Sequence, residues 1–250
     1  MNIGSHFPAI DLNTVTSGWN LQKRKDAKYI IEIDALTQLF VDTEVELSQL
    51  EIAGKRNFEY STQYFDTQDL ASYTMHLAGK RKRFKVRHRH YKDTNLDRFE
   101  VKTKVPRSQT HKYILESHTD FDSKGRDFVA HSLVAAYGDE YLTEVDLDLR
   151  PVAQMTFTRS TLVLTHSLDR ITIDTGLKSK FEGRELNLRD DFCILELKSE
   201  EVRSAMHTDL LKLSARPRKL SKYMVTVDAL NADRPRAITE RDLARYFVRN

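Results

Sequence analysis

Basic side chains recur at every second position of the segment Arg83–Tyr91, which reads RFKVRHRHY. Successive side chains of a β-strand point to opposite faces, so Lys85, Arg87 and Arg89 share one face and the apolar residues between them lie on the other. A guanidinium group can bind two phosphate oxygens at once, and an ammonium group acts as a point charge. Cations at this spacing predict a strand with one charged face, which could bind phosphates or simply face water.

Further predicted strands repeat this alternation. Glu100, Lys102 and Lys104 share a face of the paired strand, and the later strands place charges at the same kind of position, namely Arg159, Arg170, Asp174, Glu196 and Lys198. An ordinary sheet turns its charged face to water, and this is the alternative interpretation for any single strand. Like charges on neighbouring strands repel by a few tenths to about 1 kcal/mol per pair. Matched cations on at least four strands therefore favour a concave surface that binds a polyanion.

The carboxylates among these cations leave several roles open. Glu196 is the candidate ligand of a divalent metal ion that bridges to phosphate oxygens. Glu100 could be a second metal ligand, although neutralisation of Lys102 is favoured. Asp174 could bind metal or pair with Arg170. His88 and His90 project opposite the arginines, so a packed or surface role is favoured over metal binding.

Composition and charge narrow the class of protein. The 250 residues contain 40 Lys and Arg and 37 Asp and Glu, a net charge of +3, but residues 80–112 alone hold thirteen cations and three carboxylates. A single cysteine excludes an intramolecular disulfide and any Cys-rich metal site. No apolar run is long enough for a transmembrane helix, and the first residues do not form a signal peptide. We therefore expect a cytoplasmic protein without a membrane span.

The spacing of apolar residues predicts an α+β protein with seven to nine strands, mostly in antiparallel hairpins, and helices inserted between them. We expect a polar N-terminal arm over residues 1–22, one domain over 23–230 and a C-terminal tail over 231–250. The strands are predicted over 28–33, 57–65, 83–91, 98–104, 113–118, 155–165, 170–175 and 192–198. One helix is predicted to follow Asp34 and to extend as far as Leu47 or Leu50. Further helices are predicted over 66–79, 127–137 and 199–213. Residues 219–225 are expected to return to the sheet.

Seven segments in this order resemble the vacuolar transporter chaperone (VTC) domain, which is the polyphosphate polymerase domain and belongs to the triphosphate tunnel metalloenzymes. The segments are RKDAKY (24–29), YFDT (64–67), RFKVRHRHY (83–91), FEVKTK (99–104), RITID (170–174), ILELKS (194–199) and RKLSKY (218–223). The resemblance implies an antiparallel β-barrel of about eight strands that forms a tunnel, with helices outside. It also implies an enzyme that uses Mn²⁺ or Mg²⁺ to transfer the γ-phosphate of ATP to polyphosphate.

The resemblance assigns roles to positions of this sequence. The expected catalytic residues are Lys28, Arg87, Arg89, Lys102, Arg159 and Lys222. The expected substrate-binding residues are Lys85, Lys104, Arg170, Lys219 and Ser221, and the expected metal ligand is Glu196. Arg87, Arg89, Lys102 and Arg159 would cradle the triphosphate, and Lys28 and Lys222 would neutralise the transferring group.

Two positions depart from the family pattern. Phe157 stands where the family often has Tyr, which removes one hydroxyl contact to phosphate. The first strand reads Asp26-Ala27-Lys28 in place of E-x-E-x-K, which weakens the alternative of a metal-dependent triphosphate or polyphosphate hydrolase. A non-catalytic binder of nucleic acid or polyphosphate is the other alternative. Nucleic acid is not expected as a partner, because Tyr91 is the one aromatic residue on the charged face of its strand and stacking on bases needs more.

Overall fold

The structure is a computed structural model that describes residues 3–19, 25–105, 110–116, 121, 123–201, 204–231 and 238–249. Its strands are β1 (Ala9–Ile10), β2 (Lys25–Glu32), β3 (Leu47–Leu50), β4 (Asn57–Asp66), β5 (Arg83–Tyr91), β6 (Leu96–Lys104), β7 (Thr110–Glu116), β8 (Arg150–Leu164), β9 (Arg170–Phe181), β10 (Arg184–Leu188), β11 (Phe192–Ser199) and β12 (Phe247–Arg249). Its helices are α1 (Leu12–Gly18), α2 (Ile33–Asp42), α3 (Ala71–Leu77), α4 (Ser123–Tyr137), α5 (Tyr141–Glu144), α6 (Ala205–Lys212), α7 (Lys222–Leu230) and α8 (Glu240–Tyr246). Arg24 and His118, which belong to a predicted motif and a predicted strand, lie outside the described residues.

Eight strands form a continuous antiparallel path in the order β2-β11-β9-β8-β4-β5-β6-β7. β3 and β1 extend the sheet beside β8, and β10 and β12 extend it beside β9. The predicted α+β antiparallel class is confirmed. Within the described residues no pairing joins β2 to β7, so the sheet is not closed by hydrogen bonds.

The path is strongly curved, because residues from its two ends come together. Lys28 on β2 acts electrostatically on Lys85 of β5 and Lys102 of β6, although these strands are separated along the path by β11, β9, β8 and β4. Alternation gives the curved sheet two different faces. On β11, Leu195 and Leu197 face outward into an apolar cluster, whereas Glu196 shares the face of Lys28 on β2. The concave side is called the interior below.

Helices cover the outer face in two places. Residues of α2 and α6 pack on the strands near β11, where Leu36, Phe40 and Met206 are buried. Residues of α4 pack on β5 and β6, where Val129 and Leu133 join their apolar side chains. The apolar residues on the outer face of the strands are buried under these helices, and the charged residues lie on the concave side of the sheet.

Helix α7 lies on the concave side. Its apolar residues pack on Ile30, Phe157 and Ile194, which point inward from β2, β8 and β11. The expectation that residues 219–225 rejoin the sheet is wrong, because residues 219–221 lie in no strand and α7 begins at Lys222. Tyr223, Val227 and Leu230 are spaced by four and three residues, which places them on one face of a helix, and all three are buried.

Two further expectations are corrected. Where a loose arm was expected, the described residues 3–19 are packed on the rest of the chain, since β1 pairs in parallel with β3 and the side chains of Ile3, Phe7 and Val15 are buried. The second helix does not reach Leu47 or Leu50. It ends at Asp42, and residues 47–50 form β3, in which Leu47 pairs with β8, Leu50 pairs with β1 and both leucines are buried. Among the described residues, the helices are too short or too polar to cross a lipid bilayer.

Candidate functional site

The hairpin of β5 and β6 supplies the largest group of interior cations. Its turn contains Asn95 in the left-handed region, with φ of 48°. The register places Lys85 opposite Lys102 and Arg87 opposite Glu100. Glu100 is buried and forms ion pairs with Arg87 and Lys112, so it neutralises these two residues and not Lys102. Burial alone would raise the pKa of Glu100, but the neighbouring cations hold it well below its usual range.

Arg89 is buried in the interior, with 7% of its surface exposed. Its Nε donates to Thr62 Oγ1 at 3.4 Å, and its guanidinium lies 5.2 Å from the ring centroid of Tyr60. The guanidinium of Arg159 lies 5.3 Å from the same ring. Within the described part of the chain, no carboxylate lies at ion-pair distance from Arg89. Burial and the charge of Arg87 lower the pKa of the Arg89 guanidinium.

Asp174 joins β9 to β8 and α7 through charge. Arg159 donates to its two oxygens from Nε at 2.6 Å and from Nη2 at 2.7 Å, and Lys222 forms an ion pair with Oδ2. Asp174 is 1% exposed. Burial alone would raise its pKa, but Arg159 and Lys222 hold it well below its usual range. Both ion pairs come from other elements, β8 and α7, whereas the register places Arg170 opposite Lys198.

The aromatic ring of Phe157 lies against the charged groups of Arg159 and Lys222. Its ring stacks on Tyr60 with 5.2 Å between centroids and an interplanar angle of 9°. Lys222 Nζ lies 4.8 Å from the Phe157 centroid and the Arg159 guanidinium 5.4 Å from it. An aromatic face attracts cations, so this position contributes a cation–π surface in place of a hydroxyl group.

Three lysines from different strands form a second group. Lys85 Nζ donates to Ser221 Oγ at 3.0 Å, immediately before α7, and Lys28 Nζ donates to the carbonyl oxygen of Leu220 at 3.2 Å. Lys102 lies opposite Lys85 and is exposed to solvent. Burial, followed by the charges of Lys28 and Lys102, lowers the pKa of Lys85 to about 7.

Glu196 is the interior carboxylate with the weakest ion pair, since Lys28 Nζ lies 3.9 Å from its Oε1. Burial alone would raise its pKa, but Lys28, Lys198 and other cations lower it to about 2, so the side chain is ionised at neutral pH. Asp174 and Glu100 are held by two cations each. Within the described ranges, no three His, Cys, Asp or Glu side chains are grouped to hold a metal ion. Glu196 could therefore contribute one oxygen ligand, with phosphate oxygens and water supplying the others.

The structure brings together most of the site predicted from the sequence. The residues grouped in the interior are Lys28, Lys85, Arg87, Arg89, Lys102, Arg159, Glu196, Ser221 and Lys222. Arg170 and Lys104 lie at the ends of their interior faces, opposite Lys198 and Arg83. Lys219 is set apart. It is exposed and lines a cavity of about 230 Å³ that is also lined by Ile238 and Asp242.

Sequence reasoning missed the aromatic part of the interior. Tyr60 and Tyr64 share a face of β4 with Thr62, and that face contacts Arg89 and Arg87. The signal was present, because the segment NFEYSTQYF alternates and one of its faces carries these tyrosines. Tyr223 could not be found in this way, since its contact with Tyr64 depends on the position of α7.

The family model of the VTC domain matches residues 23–231. The match covers most of the chain and runs from the residues just before β2 to the residue that follows α7. It includes every cation and carboxylate placed in the interior above. No curated protein matches the sequence closely enough to serve as a relative.

Several solved structures have a similar arrangement at low sequence identity. A candidate adenylate cyclase from Bacillus halodurans is 11% identical, with 84% of this chain and 100% of that chain covered and a TM-score of 0.46. A candidate adenylyl cyclase from Hippeastrum, described as having a dominant triphosphatase activity, is 14% identical, with 82% and 95% covered and a TM-score of 0.47. A candidate adenylate cyclase from Vibrio parahaemolyticus is 14% identical, with 90% and 98% covered and a TM-score of 0.41. Similarity at this level carries no information about activity.

Proposed function

The chain belongs to the VTC domain family, and from that premise and the charges of the interior we propose that it is a polyphosphate polymerase-like phosphotransferase. ATP is the proposed donor and a polyphosphate chain the acceptor. The bond between the γ-phosphorus and the β,γ-bridging oxygen breaks, and a bond forms between that phosphorus and a terminal oxygen of the acceptor. ADP leaves, and the chain grows by one phosphate.

One observation carries this proposal: the interior holds cations that lack a matching carboxylate. Arg89 is buried with no described carboxylate at ion-pair distance, and burial together with the charges of Lys28 and Lys102 lowers the pKa of Lys85 to about 7. A buried cation without a counter-charge is costly. A bound chain of phosphates would supply the missing negative charge to Arg89 and Lys85 at once.

The arrangement suits phosphoryl transfer, which depends on positioning and charge neutralisation more than on covalent chemistry by the protein. Arg87, Arg89 and Arg159 offer rigid forks for phosphate oxygens, and Asp174 and Glu100 fix the orientation of two of them. Lys222 lies against Asp174 at the start of α7, where it would neutralise the transferring group.

We propose Mn²⁺ or Mg²⁺ as the metal cofactor, held by Glu196 together with the substrate. A single ionised carboxylate fits Mg²⁺, which is often bound by one or two carboxylates plus phosphate oxygens and retained water. When bound, such an ion would polarise a phosphoryl oxygen and reduce the negative charge of the substrate. Glu196 is ionised, and its ion pair with Lys28, at 3.9 Å, is long enough to leave its oxygens available to a metal ion.

The test is incubation of the purified chain with ATP and Mn²⁺ or Mg²⁺, followed by sizing of the products on a gel and measurement of ADP. We expect ADP together with a ladder of polyphosphate. Lys222→Ala should lower turnover by about a hundredfold or more, and the chain should stay folded because Asp174 keeps both bonds from Arg159. Lys180→Ala removes an exposed lysine of β9, paired with Glu185, and serves as the control with unchanged turnover.

Each outcome decides between the candidate functions. A polyphosphate ladder that requires metal supports the polymerase. Free phosphate without a ladder would overturn it in favour of the hydrolase of the same fold. Binding of nucleic acid that weakens with salt, without turnover of ATP, would overturn both enzymes and identify a polyanion-binding protein.

A further inference from the structure

The segment Tyr64–Thr67, which reads YFDT, connects the end of β4 to α3. The Asp66 side chain is fully buried, and it accepts hydrogen bonds from the backbone nitrogens of Ser72 at 2.8 Å and Tyr73 at 2.9 Å. It therefore caps the first turn of α3, which begins at Ala71 and not at residue 66 as expected. Its Oδ2 also accepts the hydroxyl of Tyr223 at 2.5 Å. One carboxylate thus ties the start of α3 to the start of α7.

Tyr64 makes a second connection to the same residue of α7. The rings of Tyr64 and Tyr223 are stacked, with 5.1 Å between centroids and an interplanar angle of 15°. Arg87 Nη1 donates to the Tyr64 hydroxyl at 3.3 Å. Since Tyr223 follows Lys222 directly, these contacts form a continuous path from an interior arginine on β5 to the interior lysine of α7.

The far end of α7 is attached to α3 by a different pair. Tyr73 donates its hydroxyl hydrogen to Asp228, whose other carboxylate oxygen accepts the backbone nitrogen of Ile238 at 3.2 Å. Both residues of the pair are buried. Helix α7 is therefore held at its start by Asp66 and near its end by Tyr73, and only the first attachment adjoins Lys222.

We propose that Asp66, Tyr64 and Tyr223 are positioning residues that hold Lys222 against Asp174 in the phosphate site. Apolar packing of α7 on the sheet is not directional, so it does not fix how far the helix turns about its own axis. A charge-assisted hydrogen bond and a stacked ring do fix that rotation, and they act on the residue next to the lysine. A displacement of about 1 Å in such a site can lower turnover by about a hundredfold.

The test compares two variants that each remove one hydroxyl group. Tyr223→Phe keeps the ring stacked on Tyr64 and deletes the bond to Asp66, whereas Tyr73→Phe deletes the bond to Asp228. Both changes leave a buried carboxylate with its remaining backbone donors, so we expect similar losses of stability in urea unfolding. We expect kcat to fall by about tenfold or more in Tyr223→Phe with KM within about twofold, and to change by less than about twofold in Tyr73→Phe.

The kinetic comparison rests on the proposed function, so a second readout does not use turnover. The ¹⁵N signal of the Lys222 ammonium, identified by its absence in Lys222→Arg, reports the contact with Asp174 in the protein without substrate. We expect Tyr223→Phe to shift or broaden this signal and Tyr73→Phe to leave it in place.

The two failures can be told apart. If the wild-type chain turns over no triphosphate, the proposed function falls, and the Lys222 signal alone decides the positioning role. If the signal is unchanged in Tyr223→Phe, or if Tyr73→Phe shifts it equally, the positioning role is overturned whatever the activity.

Discussion

The ion cluster around Asp174 gives a stability prediction with a definite size. Asp174 is 1% exposed and is the shared partner of Arg159 and Lys222. Asp174→Asn preserves the shape of the side chain but leaves two largely buried cations without their counter-charge. Removal of one partner from a buried ion pair costs about 3 to 5 kcal/mol. We therefore expect the free energy of unfolding to fall by at least about 3 kcal/mol.

The measurement is urea unfolding of the wild type and the variant in a buffer without phosphate. This condition matters because a ligand at a hundred times its dissociation constant adds about 2.7 kcal/mol to a protein that binds it. Glu185→Gln is the matched control, since Glu185 pairs with Lys180 at 2.6 Å on the surface, and exposed pairs contribute at most about 1 kcal/mol. If Asp174→Asn costs no more than this control, the cations do not depend on Asp174 and our account of the interior is wrong.

Three further predictions concern other parts of the molecule. Burial and the charges of Lys28 and Lys102 lower the pKa of Lys85 to about 7, so its positive charge is lost as pH rises above 7. Affinity for tripolyphosphate, measured by calorimetry, should fall over that range relative to the affinity of Lys85→Arg, which stays charged. The pKa of Glu196 is lowered from 4.5 to about 2, so its stabilising effect is complete above pH 4.5 and is lost as pH falls towards 2. Glu196→Gln should therefore flatten the decline of the urea midpoint over that range, and an unchanged decline would contradict the assignment. Phe7→Ala should lower the free energy of unfolding by about 3 kcal/mol, whereas a loose arm would show no change.

Strand alternation predicted which side chains share a face, and this was sufficient for much of the interior. Lys85, Arg87 and Arg89 follow from their spacing alone, because each strand of a half-buried sheet has only two faces. The inward direction of that face did not follow from any single strand, since a solvated charged face has the same pattern. It became clear only from cations repeated on several strands, and in the structure the apolar faces of these strands pack outward under α2, α4 and α6.

The partners of the carboxylates could not be predicted from alternation, because partner choice depends on register. Asp174 lies four residues after Arg170 on the same face of β9. Pairing with Arg170 was one of the two roles that the sequence left open for it. The register of β8 and β9 instead places Arg159 directly opposite Asp174, after an irregularity between Thr156 and Thr158 that shifts the pairing. The shift includes Gly176 of β9, whose φ of 58° lies in the left-handed region that favours glycine. A glycine inside a strand indicates a bulge, but it does not say by how many residues the register shifts.

The position of α7 was beyond local reasoning for a different reason. Lys222 and Tyr223 are adjacent, yet one contacts Asp174 on β9 and the other contacts Asp66 at the end of β4, residues separated by more than a hundred positions in the chain. A helix can make both contacts only if it lies inside the curve of the sheet, because only there are β4 and β9 on either side of it. The interior site is thus formed by residues at the start of α7 as well as by residues of the strands. A sequence pattern that identifies only the strands therefore finds the interior arginines. It does not find Asp66, Tyr64 and Tyr223, the residues that we propose position Lys222.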